Sequence, residues 1–151
     1  MQMGMTTKRQ EVTQLILVDT SVLIDYLKDL TTQKTKLFAN ILQNKWAYGI
    51  SQFTYQEVLQ GARDEKEFKL LDRYLSNQKI YYLPEDVSVY RTAAQTYYML
   101  RRSGITLRNT IDVLIALTAV SHGLLLLHDD RDFENMKQFM DGLHMMEAQD
   151  L

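Results

Sequence analysis

The sequence predicts an α/β fold with three layers, α/β/α, around a central, mainly parallel sheet. Short apolar runs of strand character alternate with helical stretches from Leu15 to the end, a pattern that buries a parallel sheet under helices on both faces. The chain's 151 residues, 46% hydrophobic and 24% charged, are enough for one sizeable core and too few for two ordinary domains. One domain over residues 15–151 is therefore expected. The polar stretch Met1 to Gln14 has no apolar period and reads as a disordered extension.

Leu15 to Val18 is an apolar run ending in Asp19, which suits a buried strand. The next residues turn to helical spacing, with Val22, Leu23, Tyr26 and Leu27 on one side. Gln33 to Gln43 is helical, Trp46 to Ile50 is strand-like, and Gln52 to Ala62 is helical with Tyr55, Val58, Leu59 and Ala62 on one face. Lys66 to Leu75 extends that helical pair. A third strand is expected at Lys79 to Leu83, stopped by Pro84, followed by a long helix from about Asp86 to Arg102 with Gly104 as its stop. Asn109 or Thr110 caps a helix to about Ser121. Gly123 to His128 reads as the most buried strand, Asp130 opens a short helix, and Leu143 to Glu147 is the last strand.

Composition narrows the chemistry. Without cysteine there are no disulfides, thiolate nucleophiles or Cys-ligated zinc, and three scattered histidines make a histidine metal site a poor fit. Any metal must be held by oxygen. The longest apolar runs fall far short of the roughly 20 residues of a membrane helix, and the N-terminus has no signal-peptide core, so a cytoplasmic protein without membrane attachment is expected. A net charge of -2 means that any contact with nucleic acid must come from a local patch.

In parallel sheets, sites form beyond the carboxyl ends of the strands, and acids gather there. Asp19 ends the first strand, with Thr20 and Ser21 beside it as hydrogen-bond donors; an Asp there can equally cap the next helix. Glu57 shares a strip with Thr54 and Gly61, away from its helix's apolar face, and on its own reads as a solvated glutamate; Gly61 would admit a neighbouring backbone. Asp112 lies in a helix that is apolar all round. The helix dipole offers about 0.3 to 1 kcal/mol there, whereas an unpaired buried charge costs several. Asp129, Asp130 and Asp132 follow the fourth strand directly, and a helix cap requires only one of them. Converging acids repel one another unless a cation lies between them, and an oxygen-only set points to Mg2+ or Mn2+.

Four stretches, LILVDTSVLIDYL, TYQEVLQGA, TIDVLIALTA and LLLLHDDRDFENM, resemble in order and separation the four acidic motifs of PIN-domain nucleases, specifically the VapC-type toxins. The resemblance spans Leu15 to the C-terminus. It implies a PIN-like α/β/α fold, Mg2+- or Mn2+-dependent endoribonuclease activity on RNA, a homodimer, and a small co-expressed antitoxin that blocks the site. By motif position Asp19 matches the first acid, Glu57 the second and Asp112 the third; the fourth is Asp130 or Asp132, with Asp129 adjacent. Asp112 lacks the usual acidic or asparagine companion directly beside it, which leaves Asn109 and Thr110 as caps.

Substrate phosphates need cations, and Arg101, Arg102 and Arg108 lie just upstream of Asp112, although a helix C-terminus also favours such residues. Thr20 and Ser21 are candidate substrate contacts. His128 reads as a hydrogen-bonded core histidine, and Trp46, Tyr81, Tyr82, Tyr97 and Tyr98 as core or dimer surface. A haloacid-dehalogenase-type enzyme would carry a second Asp where Ser21 stands, and a receiver domain would show an acidic pair before the first strand. The remaining alternatives are a housekeeping PIN nuclease of RNA processing and a non-catalytic RNA-binding or assembly module, the latter expected to have lost acids.

Overall fold

The computed structural model describes residues 15–150, so the extension expected at Met1 to Gln14 lies outside the described residues. In chain order the elements are β1 (Ile16–Val18), α1 (Thr20–Leu27), α2 (Gln33–Gln43), β2 (Tyr48–Ser51), α3 (Gln52–Gln60), α4 (Glu65–Ser76) and β3 (Ile80–Tyr81). Then follow α5 (Val87–Arg102), α6 (Thr110–His122), β4 (Leu125–Leu127), α7 (Arg131–Met136), β5 (His144–Met145) and a 3-10 turn at Ala148–Asp150.

Every strand pairing is parallel, and the strand order is β3-β2-β1-β4-β5. The chain builds outward from β1 to β3, then returns to the other side of β1 for β4 and β5. The reversal lies between β1 and β4, and a crevice opens at their carboxyl ends, as it does at such points in open α/β sheets. In β1, Leu17 enters one core while Ile16 and Val18 enter the other; in β4, Leu126 and the pair Leu125 and Leu127 divide in the same way. Helices α5 to α7 cover the first core, with α1 to α4 over the second, which gives the three expected layers.

The boundaries differ from expectation at identifiable contacts. Gly123 belongs to the end of α6: its φ of 64° is the left-handed conformation that stops the helix, so β4 starts two residues later. Strand β3 has two residues because Leu83 N–H turns to the side-chain oxygen of Gln52 at 2.7 Å and leaves the ladder. Gly61 closes α3, and among the described residues a Cβ there would meet only its own helix's carbonyls, not a neighbouring backbone. Among the described residues no helix is long and apolar enough to cross a membrane.

Candidate active site

Asp19 lies one residue past the end of β1 and continues its ladder, its N–H bonding at 2.9 Å to the carbonyl of Leu127, the last residue of β4. Its two carboxylate oxygens have different roles. Oδ2 caps α1, accepting from Ser21 N–H at 3.0 Å and Ser21 Oγ at 2.6 Å. Oδ1 is buried with no hydrogen-bond partner among the described residues. The helix cap and the candidate site acid are therefore the same residue. Burial pushes its pKa up to about 6 against the bonds from Ser21, and Glu57 adds repulsion in the same direction.

Glu57 is aimed by a chain of hydroxyls rather than by packing. Ser51 Oγ caps α3 and lies 3.2 Å from Thr54 Oγ1, which lies 2.9 Å from Thr20 Oγ1, which in turn lies 2.9 Å from Glu57 Oε1. Each hydroxyl has one proton, and a carboxylate is the strongest acceptor in the row, so Thr20 donates to Glu57 and Thr54 to Thr20. Asn109 holds the other oxygen, donating from Nδ2 to Glu57 Oε2 at 3.2 Å while its Oδ1 caps α6 through Ile111 N–H.

Asp112 sits in the first turn of α6 and is 8% exposed. Burial raises its pKa to about 7, with further repulsion from Asp19, Asp130, Glu57 and Asp132. After β4, Asp130 is the N-cap of α7, its Oδ1 accepting from Asp132 N–H at 3.0 Å. Phe133, fully buried, anchors that short helix to the core. Carboxylate oxygens of Asp112, Asp130 and Asp132 all lie within 4.8 Å of one another. Arg108 borders them, with Nη2 3.3 Å from Asp130 Oδ1, Nε 3.7 Å from Asp132 Oδ2, and its backbone N–H on the same Asp132 oxygen at 3.3 Å. Asp19, Thr20, Ser21, Glu57, Arg108, Asn109, Asp112 and Asp130 line one cleft of about 320 Å³ at the carboxyl ends of β1 and β4.

With this geometry in place, comparison with known proteins decides the family. The PIN domain family matches residues 16–138. A VapC ribonuclease of Mycobacterium bovis is 30% identical over 125 residues, covering 80% of this chain and 90% of that protein. This chain belongs to the PIN-domain family, among the VapC-type ribonucleases. Ribonuclease VapC1 of Methanocaldococcus jannaschii is 29% identical over 125 residues, 82% of each chain. The fold is shared with VapBC-1 from nontypeable Haemophilus influenzae, at a TM-score of 0.65 and 19% identity over 88% of this chain and 97% of that one. It is likewise shared with VapBC2 from Rickettsia felis bound to a promoter DNA fragment, at 0.64 and 17% over 87% and 97%.

Of the residues singled out in the sequence, this PIN domain brings Asp19, Glu57, Asp112, Asp130 and Asp132 together, with Thr20, Ser21 and Arg108 beside them. It does not bring Arg101 and Arg102. Both lie in the last turn of α5, where Arg102 meets Tyr98 and Arg101 lines a separate groove between α5 and α6. Among the three acids after β4, Asp129 is exposed and contributes its backbone N–H to Ser21 Oγ at 3.0 Å. Asn109 does more than the expected capping, since one amide serves both α6 and Glu57. Its second role could not be read from spacing, because Glu57 is far away in sequence.

The donor set suits a hard divalent cation. It is all oxygen, its Asp112, Asp130 and Asp132 atoms have the mutual spacing that ligands about 2.0 to 2.6 Å from one ion can take, and Asp19 Oδ1 is a buried carboxylate oxygen without a hydrogen-bond partner among the described residues.

Proposed function

We propose that this PIN domain is a divalent-metal-dependent endoribonuclease, the toxin of a toxin–antitoxin pair, acting in the cytoplasm as a homodimer that a small antitoxin restrains. The observation that carries the metal-dependent reading is the meeting of Asp19, Glu57, Asp112 and Asp130 in one cleft, together with Asp19 Oδ1, a buried carboxylate oxygen with no hydrogen-bond partner among the described residues. Asp19, Asp112, Asp130 and Asp132 would hold Mg2+ or Mn2+, with Glu57 at the edge of the same set. When bound, the ion supplies a Lewis acid that acidifies water and offsets charge on the phosphate.

The protein's own groups have separable tasks. Glu57, held at both oxygens by Thr20 and Asn109, orients an attacking water in the cleft and takes its proton. Water oxygen bonds to phosphorus as the bond to the leaving 3′ oxygen breaks. Arg108, mostly exposed at the cleft rim, receives a substrate phosphate, and Ser21 and Thr20 fix the acids against which it is drawn. Exposed apolar residues of α5, among them Val87, Tyr90, Tyr98 and Met99, support a protein-covered face.

The test is cleavage of structured RNA by the pure protein with Mn2+, with EDTA, and with Asp19→Asn. Cleavage with Mn2+ alone, lost in EDTA and in the variant, is expected. Equal cleavage in EDTA would overturn the metal-dependent mechanism.

A further inference from the structure

We propose that His128, buried directly after β4 and absent from the cleft lining, is a positioning residue that holds Asp130 through the lone pair of its Nδ1. This inference rests on the metal reading of the acid cluster. Its starting point is the backbone N–H of Asp130, the N-cap of α7. At many helix starts a Glu or Gln at the third helical position reaches back to that amide. Here the third position is Phe133, committed to the core, so that partner is missing. His128 Nδ1 takes its place at 3.2 Å.

The other ring nitrogen completes the arrangement. His128 Nε2 lies 3.1 Å from Glu134 Oε1. Because Nδ1 receives an N–H, the ring proton must reside on Nε2, from which it is donated to Glu134. Glu134 thus reaches the cap amide by way of an imidazole, and the ring packs at a tilt of 44° against Phe133, centroids 5.0 Å apart. What this fixes is the direction of one carboxylate. Asp130 Oδ1 is already engaged with Asp132 N–H and Arg108, so a turn of the backbone at its own N–H would swing the carboxylate away from Asp112 and Asp132.

Side chains that imitate one ring nitrogen at a time separate this role from mere filling of space. Asn places an oxygen near Nδ1, whereas Gln places its amide near Nε2. The full chain and its His128→Asn, His128→Gln and His128→Leu variants are titrated with Mn2+ by calorimetry, checked for folding by thermal melts, and assayed on RNA. His128→Asn is expected to keep the Mn2+ affinity within about threefold, and His128→Gln and His128→Leu to lose about 10- to 100-fold, the range for groups that orient metal ligands. The loss should enter kcat with RNA KM unchanged. Equal affinities for the Asn and Gln variants, or wild-type affinity in His128→Leu, overturn the proposal alone; a wild type that takes up no Mn2+ overturns the metal reading with it. Nitrogen-15 NMR of the wild type gives a check that needs no variant to fold. An Nε2–H imidazole supports the inference, and an Nδ1–H imidazole overturns it.

Discussion

Thr20 Oγ1 stands 2.9 Å from Glu57 Oε1 and joins the first residue of α1 to the sixth of α3 across the carboxyl end of the sheet. The contact is a hydroxyl-to-carboxylate bond in a shielded place, of a kind worth about 1.5 to 3 kcal/mol. Thr20→Val keeps the shape and removes the donor. On the proposed mechanism kcat for RNA should fall roughly tenfold or more with KM little changed, and Thr20→Ser should recover most of it. Steady-state kinetics on one RNA decide this; a fully active Thr20→Val would show that Glu57 needs no aiming.

Two buried acids, Asp19 and Asp112, predict how the metal-free protein responds to pH. Burial pushes the carboxyls of Asp19 and Asp112 up from the ordinary 3.8 to about 6 and about 7. Between those values the folded state holds more protons than the unfolded state, so its stability falls as pH rises. For Asp19 alone the loss is about 3 kcal/mol by pH 8. His128 acts oppositely, since burial lowers its pKa and its contribution is lost as pH falls. Melts in EDTA should therefore show a lower Tm at pH 8 than at pH 5.5, with a shallower slope for Asp19→Asn. A wild-type Tm that rises over that range would mean the acids are not strained.

Much of this fold was legible because its signals are local. Apolar runs ending in acids located β1 and β4, and the all-round apolar helix identified Asp112 as buried. What was illegible depends on contacts between distant residues. The end of β3 is set by the Gln52 side chain, and the second role of Asn109 by a glutamate 52 residues away. Arg101, Arg102 and Arg108 looked alike as cations upstream of Asp112, yet the α5 end directs the first two onto tyrosines while the following loop leads Arg108 to the acids. Spacing cannot give direction after a helix ends.

Gly49 allows β2 and β3 to approach closely. A Cβ at this position would lie 2.5 Å from the Tyr81 ring and 2.7 Å from the Lys79 carbonyl oxygen, and the second neighbour is backbone. Gly49→Ala should therefore destabilise the protein by about 1 to 3 kcal/mol, the usual result of overpacking. Urea unfolding of both proteins tests this, and an unchanged midpoint would mean that the edge strand gives way freely.

Arg108 should show opposite effects on two ligands. Its guanidinium borders Asp130 and Asp132, so Arg108→Gln removes a positive charge that competes with a cation and should tighten Mn2+ binding a fewfold. The same change removes the group proposed to receive phosphate and should raise RNA KM. Calorimetry and kinetics on one preparation measure both. If both affinities weaken, Arg108 is a structural partner of the acids.

The sharpest test of the site is Asp112→Asn, because its sign changes with the metal. Without metal, Asp112 carries a buried carboxyl pressed by Asp19, Asp130, Glu57 and Asp132, and the neutral, nearly isosteric Asn relieves both the desolvation and the repulsion. The variant should therefore melt at or above the wild-type temperature in EDTA. An ion that binds only the folded state adds RT ln(1 + [L]/Kd), about 2.7 kcal/mol at a hundredfold excess over Kd. Added Mn2+ should raise the wild-type Tm by several degrees and that of Asp112→Asn far less, while RNA cleavage by the variant is lost. Its position in the first turn of α6 supplies the competing account, in which the carboxylate serves the helix dipole for about 0.3 to 1 kcal/mol. That account predicts the reverse order in EDTA. An Asp112→Asn protein melting well below wild type there would make the residue a helix-stabilising acid and remove it from the ligand set.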